Sequence, residues 1–224
     1  MIPEPKPGEA VVVKICGITR AEDADDAIAA GADAIGINFW PGSKRYIAPE
    51  RAAAWARPLA GRIFRIGVFV NASLEEVEAT IREGLVDAVQ FHGDETGEYC
   101  AEARARGLDF ICAIAVKSSD HVLDLSGLPC RSILLDAFAP GAYGGTGRRI
   151  DWAVARRVVE ENSNRRVILS GGLDPQNVAE AVLAVGPAGV DVASGVEASP
   201  GIKDADKVRE FVARAKRPTH RGSR

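Results

Sequence analysis

The chain has 224 residues, 46% of them hydrophobic and 26% charged, with a formal net charge of −3. That balance supports a large buried core in one domain and leaves no basic field for nucleic acid and no block of like charge for a binding tail. No apolar run approaches the roughly 18 residues that span a bilayer, and residues 1–8 lack the apolar stretch of a signal peptide, so we expect a cytoplasmic protein whose partner is a small molecule, with no membrane contact. The four cysteines, Cys16, Cys100, Cys112 and Cys130, lack metal-type pairing and are expected to be reduced thiols.

In chain order, Pro3, Pro5 and Pro7 mark residues 1–10 as a flexible leader. Eight short apolar or β-branched runs follow: 11–15, 34–38, 64–70, 88–91, 110–115, 132–136, 167–169 and 190–193. Segments with helical spacing lie between them, near 21–30, 49–56, 74–83, 95–106, 119–125, 152–160 and 174–185, and an eighth covers 204–216. Gly31, Gly84 and Gly107 stand just past helical stretches, where a left-handed residue is wanted, and Asp174-Pro175 reads as an N-cap followed by proline at the first helical position. Runs such as Val11-Val12-Val13 and Ile133-Leu134-Leu135 are apolar without alternation, as strands buried on both faces are. Eight strand–helix units of this kind predict an α/β fold, a single (β/α)8 TIM barrel of eight parallel strands over 11–216. The rival, an open doubly wound sheet, usually carries a glycine fingerprint after its first strand, where this chain has Cys16-Gly17-Ile18-Thr19. Residues 217–224 form a basic tail with nothing to bury.

In such barrels the active site lies at the C-terminal ends of the strands, so a residue's place in its strand bears on its role. Cys16 ends the first strand, where a thiol is either a small buried hydrophobe or a base or nucleophile; Cys100, Cys112 and Cys130 read as core. Asp136 ends the sixth strand after buried residues. A desolvated carboxyl group there holds its proton, which suits a general acid, while a loop-ordering aspartate is the alternative. Arg45, in the loop after the second strand, is either solvated charge or a planar fork for a carboxylate. His92, just past the fourth strand, is either a proton-exchanging group or a structural histidine. The long loop after the sixth strand carries Tyr143, Gly144, Gly145, Thr146 and Gly147 and reads as functional. Two glycine turns, Ser170-Gly171-Gly172 and Ala193-Ser194-Gly195, follow the last two strands and together signal a phosphate site built from backbone N–H groups. For Asp191, in the last strand, a structural hydrogen bond to neighbouring loops is the first reading. The candidate substrate-binding set is therefore Arg45, His92, Gly145, Gly171, Gly172, Asp191, Ser194 and Gly195, with Cys16 and Asp136 as candidate catalytic groups.

Lys14-Ile15-Cys16-Gly17-Ile18-Thr19, Pro41-Gly42-Ser43-Lys44-Arg45-Tyr46-Ile47, Val68-Phe69-Val70-Asn71, Gln90-Phe91-His92-Gly93, Leu135-Asp136, Gly144-Gly145-Thr146-Gly147, Leu169-Ser170-Gly171-Gly172-Leu173 and Asp191 to Glu197 occur in that order. As an ordered set they resemble the phosphoribosylanthranilate isomerases of tryptophan biosynthesis. The resemblance runs from Val12 to about Val212, with Phe91 standing where the family often has leucine and Ala193 where serine is frequent. It implies an Amadori rearrangement of N-(5-phosphoribosyl)anthranilate without metal or cofactor. It also implies Cys16 as the base for the C2 proton, Asp136 as the acid for the ring oxygen and Arg45 as the clamp for the anthranilate carboxylate. Phe39 is the expected apolar wall for the aromatic ring, and both monomers and homodimers are compatible. The alternatives are a related barrel isomerase acting on another aminated ribose phosphate, or a non-catalytic ligand-binding barrel. Cysteine at the first acid–base position and Asn71-Ala72-Ser73 after the third strand disfavour the former, and retention of both Cys16 and Asp136 disfavours the latter.

Overall fold

The computed structural model describes residues 3–116, 125, 127–137 and 149–218. Eight strands, β1 (Val12–Cys16), β2 (Ala34–Asn38), β3 (Phe64–Phe69), β4 (Ala88–Phe91), β5 (Phe110–Val116), β6 (Ser132–Ala137), β7 (Arg166–Leu169) and β8 (Gly189–Val192), pair in sequence order into a closed barrel. All pairings are parallel, and β1 closes on β8 with Lys14 opposite Asp191. The helices are α1 (Ala21–Ala29), α2 (Pro49–Ala56), α3 (Leu74–Arg82), α4 (Gly97–Ala105), α5 (Trp152–Glu161), α6 (Val178–Val185) and α7 (Ala205–Lys216). The helix expected at 119–125 and the glycine-rich loop at 141–147 lie outside the described residues, apart from Leu125. Among the described residues no helix is long and apolar enough to cross a membrane.

Local chemistry sets the helix starts. Ser73 and Glu76 form a reciprocal capping box on α3, Thr96 accepts the Tyr99 N–H on α4, and Asp204 accepts the N–H groups of Asp206 and Lys207 on α7. Gly31, Gly84 and Gly107 have φ of +83°, +70° and +80°, as their positions demand. The expected start of α6 at Asp174 is not observed. Residues 175–177 form a turn whose N–H groups at Gln176 and Asn177 are accepted by the Asp174 carboxylate, and the helix follows at Val178. A further hairpin, β9 (Glu197–Ser199) and β10 (Ile202–Lys203), was not anticipated.

Alternation along the strands sorts side chains into two cores. On β1, Val13 and Ile15 face the large cluster between sheet and helices, while Val12 belongs to a separate inner cluster with Ala34, Ile66, Ile111, Leu134 and Ile168. That cluster plugs the barrel toward the N-terminal ends of the strands. Two and four residues further along the same face of β1 come Lys14 and Cys16, so the interior turns polar toward the C-terminal ends. Residues 3–10 cross the opposite end. There Arg166 donates to the Pro3 carbonyl and Lys216 binds both Glu9 and Asp33.

Candidate active site

Cys16 and Lys14 share the inner face of β1 because they are two residues apart. Gly36 on β2 makes room for them: a Cβ there would lie 2.6 Å from Cys16 Sγ and 3.2 Å from Lys14 Cε. Lys14 is buried, and its ammonium donates to Asp191 Oδ1 at 2.8 Å and to Gln90 Oε1 at 3.0 Å. Burial opposes that charge, yet Asp191 and Cys16 together hold it above the ordinary lysine range. Asp191 uses its second oxygen to accept from Ser170 Oγ at 3.2 Å. Both its oxygens are thus engaged, by Lys14 and by Ser170. Burial pushes the Cys16 thiol above its ordinary value of 9.0, against the pull of Lys14 and Lys203 and with a further push from Asp191. The resting group is a thiol beside an ammonium.

Across the barrel, Asp136 near the end of β6 accepts the Ala137 N–H on Oδ1 at 2.9 Å, and Oδ2 lies 3.3 Å from His92 Nε2. The other ring nitrogen, Nδ1, is 2.8 Å from Gln90 Nε2. Asp136 thus accepts from the backbone on one oxygen and presents the other to the cleft.

Arg45 is not an open clamp. Its Nε and Nη2 donate to the two oxygens of Glu197 at 2.7 and 2.8 Å. Glu197 also accepts from Lys203 Nζ at 3.0 Å and from the Gly201 N–H at 3.2 Å. Burial would raise the Glu197 carboxyl, but Arg45 and Lys203 more than offset it and hold it below the ordinary glutamate value. Burial in turn lowers Lys203 despite its contact with Glu197. Two cations on one carboxylate leave a positive excess, with Arg45 Nη1 outside the fork, so a carboxylate ligand would join an existing ion cluster. Gly17, with φ of +76°, lies directly under the Arg45 side chain.

The two turns after β7 and β8 flank the same cleft. Gly171 and Gly172 adopt φ of +83° and +67°, and a Cβ on Gly171 would approach the Ala137 nitrogen to 2.9 Å. Cys16, Arg45, His92, Asp136, Gly171, Gly172, Asp191 and Ser194 all line one cleft, together with Asn38, Ser43, Val68 and Ser170. Gly195 does not line it. A Cβ there would collide with the Leu173 carbonyl, so this glycine packs the two turns together. Gly145 lies outside the described residues. Phe39, expected as the wall for an aromatic ring, packs on Phe69 at 5.4 Å and lines a neighbouring groove of about 470 Å³ with Trp40 and Tyr46. The remaining cysteines are buried as expected, with Cys100 and Cys112 in contact at 3.8 Å. Sequence reasoning passed over Lys14, Gln90, Glu197 and Lys203 as functional residues. The available signal was a charge inside an apolar run, as in Val11-Val12-Val13-Lys14.

Comparison with known proteins gives one consistent result. Residues 13–214 match the family model of N-(5'phosphoribosyl)anthranilate (PRA) isomerase. An N-(5'-phosphoribosyl)anthranilate isomerase from Geobacter sp. (strain M21) is 47% identical over 205 residues, covering 92% of this chain and 98% of that protein. The phosphoribosyl anthranilate isomerase of Thermus thermophilus superposes with a TM-score of 0.81 at 41% identity, covering 91% of this chain and 98% of that one. Another such isomerase, solved in complex with reduced 1-(o-carboxyphenylamino)-1-deoxyribulose 5-phosphate, superposes with a TM-score of 0.75 at 38% identity over 92% of this chain and 98% of its own. The chain belongs to the phosphoribosylanthranilate isomerase family.

Proposed function

We propose that this chain catalyses the Amadori rearrangement of N-(5-phosphoribosyl)anthranilate to 1-(2-carboxyphenylamino)-1-deoxyribulose 5-phosphate, with Cys16 as general base and Asp136 as general acid. The observation that carries the reading is that a thiol beside an ammonium and a carboxyl group with one oxygen free of the backbone line the same cleft from different strands.

Asp136 Oδ2 gives its proton to the furanose oxygen as the anilino nitrogen lone pair expels it, so the C1–O bond breaks and a protonated Schiff base forms. Cys16, as thiolate, then takes the C2 proton, and the C2–H electron pair moves to the C1–C2 bond to neutralise the iminium nitrogen. The enolamine so formed becomes the ketone when its hydroxyl proton leaves and C1 gains one. C1 is reduced as C2 is oxidised, so the balance needs no external oxidant or reductant. Lys14 offsets the charge that develops on sulfur. Backbone N–H groups of the Gly171-Gly172 and Ser194 turns are the candidate phosphate donors, and Arg45 Nη1, with Lys203 behind it, is the candidate partner for the anthranilate carboxylate.

The test is a coupled assay in which anthranilate and phosphoribosyl pyrophosphate are converted to the fluorescent adduct and its disappearance is followed. Wild-type protein is expected to consume the adduct. Cys16→Ala and Asp136→Asn are each expected to lower kcat by about 10²–10⁴-fold with an unchanged unfolding midpoint. A wild-type protein that leaves the adduct untouched refutes the reaction, and near-normal turnover in either variant removes that residue from its role.

A further inference from the structure

The two oxygens of Asp136 have different duties. Oδ1 already accepts the Ala137 N–H, which leaves Oδ2, the oxygen 3.3 Å from His92 Nε2, as the one placed to exchange a proton with substrate. A neutral imidazole at that spot has two opposite effects depending on its tautomer. A bare Nε2 would accept the proton and withhold it from the sugar; an Nε2 that already bears hydrogen leaves the proton for the sugar and favours the carboxylate that remains.

The surroundings decide which tautomer is present. Lys14 Nζ is an ammonium with donors only, so the Gln90 oxygen has to face it, at 3.0 Å. That orientation turns the Gln90 NH₂ group toward His92 Nδ1, at 2.8 Å. An amide NH₂ only donates, so Nδ1 has to be bare, and a neutral ring then carries its proton on Nε2. The chain of constraint continues behind Lys14, which Asp191 fixes at 2.8 Å while accepting from Ser170 at 3.2 Å. Flipping the Gln90 amide would set two donors against each other at a fully buried position.

We infer that Lys14 and Gln90 act as a tautomer lock, holding His92 as an Nε2–H donor toward Asp136 so that the acid delivers its proton to substrate and not to the ring. Both are positioning residues: they act through His92. The same ammonium also flanks Cys16, whose thiol it pulls down against the larger push of burial. The inference rests on Asp136 as the acid.

The experiment is ¹⁵N NMR of protein labelled at histidine, followed across pH and read where the ring is neutral. The chain has three histidines, and the His92 ring is assigned by its disappearance in His92→Asn. In the wild type Nδ1 is expected as the unprotonated nitrogen and Nε2 as the protonated one. In Gln90→Glu the new carboxylate accepts from both neighbours, so His92 is expected to protonate at Nδ1. We expect kcat to fall about tenfold or more while KM stays within about twofold. A wild-type His92 protonated at Nδ1 overturns the lock, and this spectrum decides even if Gln90→Glu fails to fold. An inverted tautomer with unchanged kcat overturns its role in proton delivery. A wild type that shows the Nε2–H form but no turnover counts against the reaction assignment and not against the lock.

Discussion

Lys14 is a charge set in the middle of an apolar strand, and its removal separates two of its effects. Lys14→Met leaves the Asp191 carboxylate buried with only Ser170, which should cost about 3–5 kcal/mol in a urea titration. The double variant with Asp191→Asn should recover most of that loss. Neither substitution restores the charge beside Cys16. Because burial keeps that thiol above 9.0, the thiolate is scarce at neutral pH and its fraction grows about tenfold per pH unit below the folded pKa. In wild type kcat/KM should therefore rise with pH through the neutral range, and in both variants the rising limb should move to higher pH. A limb that stays put would remove Lys14 from the activation of sulfur. The stability sign runs the other way. The folded chain holds the Cys16 proton more tightly than the unfolded chain, a contribution present below the ordinary pKa and lost as pH climbs through the raised one. Cys16 and Asp136 were legible as candidates because both end a strand, and both line the cleft. Lys14 showed only as a charge inside an apolar run and Gln90 not at all, because in a strand buried on both faces the pattern does not say which face lines the interior. The Arg45–Glu197 pair spans 152 positions, and no short-range pattern records such a pairing.

At the scale of elements, each of the eight strand segments read from apolar runs coincides with a barrel strand to within a residue or so at each end. Seven of the eight helical stretches are present, and the other lies outside the described residues. The hairpin of β9 and β10 escaped because its strands span only three and two residues, too few to show a period, although Pro200-Gly201 between them is a turn signal. At α6 the expected cap at Asp174 does not start the helix: its carboxylate accepts from the turn at Gln176 and Asn177, and Asn177 stands at the N-cap. The glycine turns were taken as bare backbone for a phosphate; for Gly195 the stronger constraint is steric. Gly195→Ala forces a Cβ into the Leu173 carbonyl, joining two turns that touch. Because the obstacle is backbone, the cost should reach or exceed the roughly 1–3 kcal/mol typical of overpacking, read as a lower urea midpoint. An unchanged midpoint would mean that the turns can part freely.

Over the whole molecule, the barrel interior divides into an apolar plug at one end and a hydrogen-bonded mouth at the other. Leu134 belongs to the plug and is fully buried, two residues before Asp136 on the same face of β6. Leu134→Ala should cost about 2–5 kcal/mol of stability while kcat per folded molecule stays near wild type. A large loss of kcat at full folding would show that the plug sets the geometry of the mouth.

The barrel also has no seam. Ala10 N–H donates to the Lys216 carbonyl at 3.0 Å, Lys216 Nζ reaches both Glu9 and Asp33, and β1 pairs with β8 as any strand pairs with its neighbour. The start of the first strand and the end of the last helix thus meet at the face opposite the cleft. A short peptide could join them there, and the chain could be opened at another connection on that same face, so the order of the eight units along the polypeptide is a convention of synthesis that the ring of hydrogen bonds does not require.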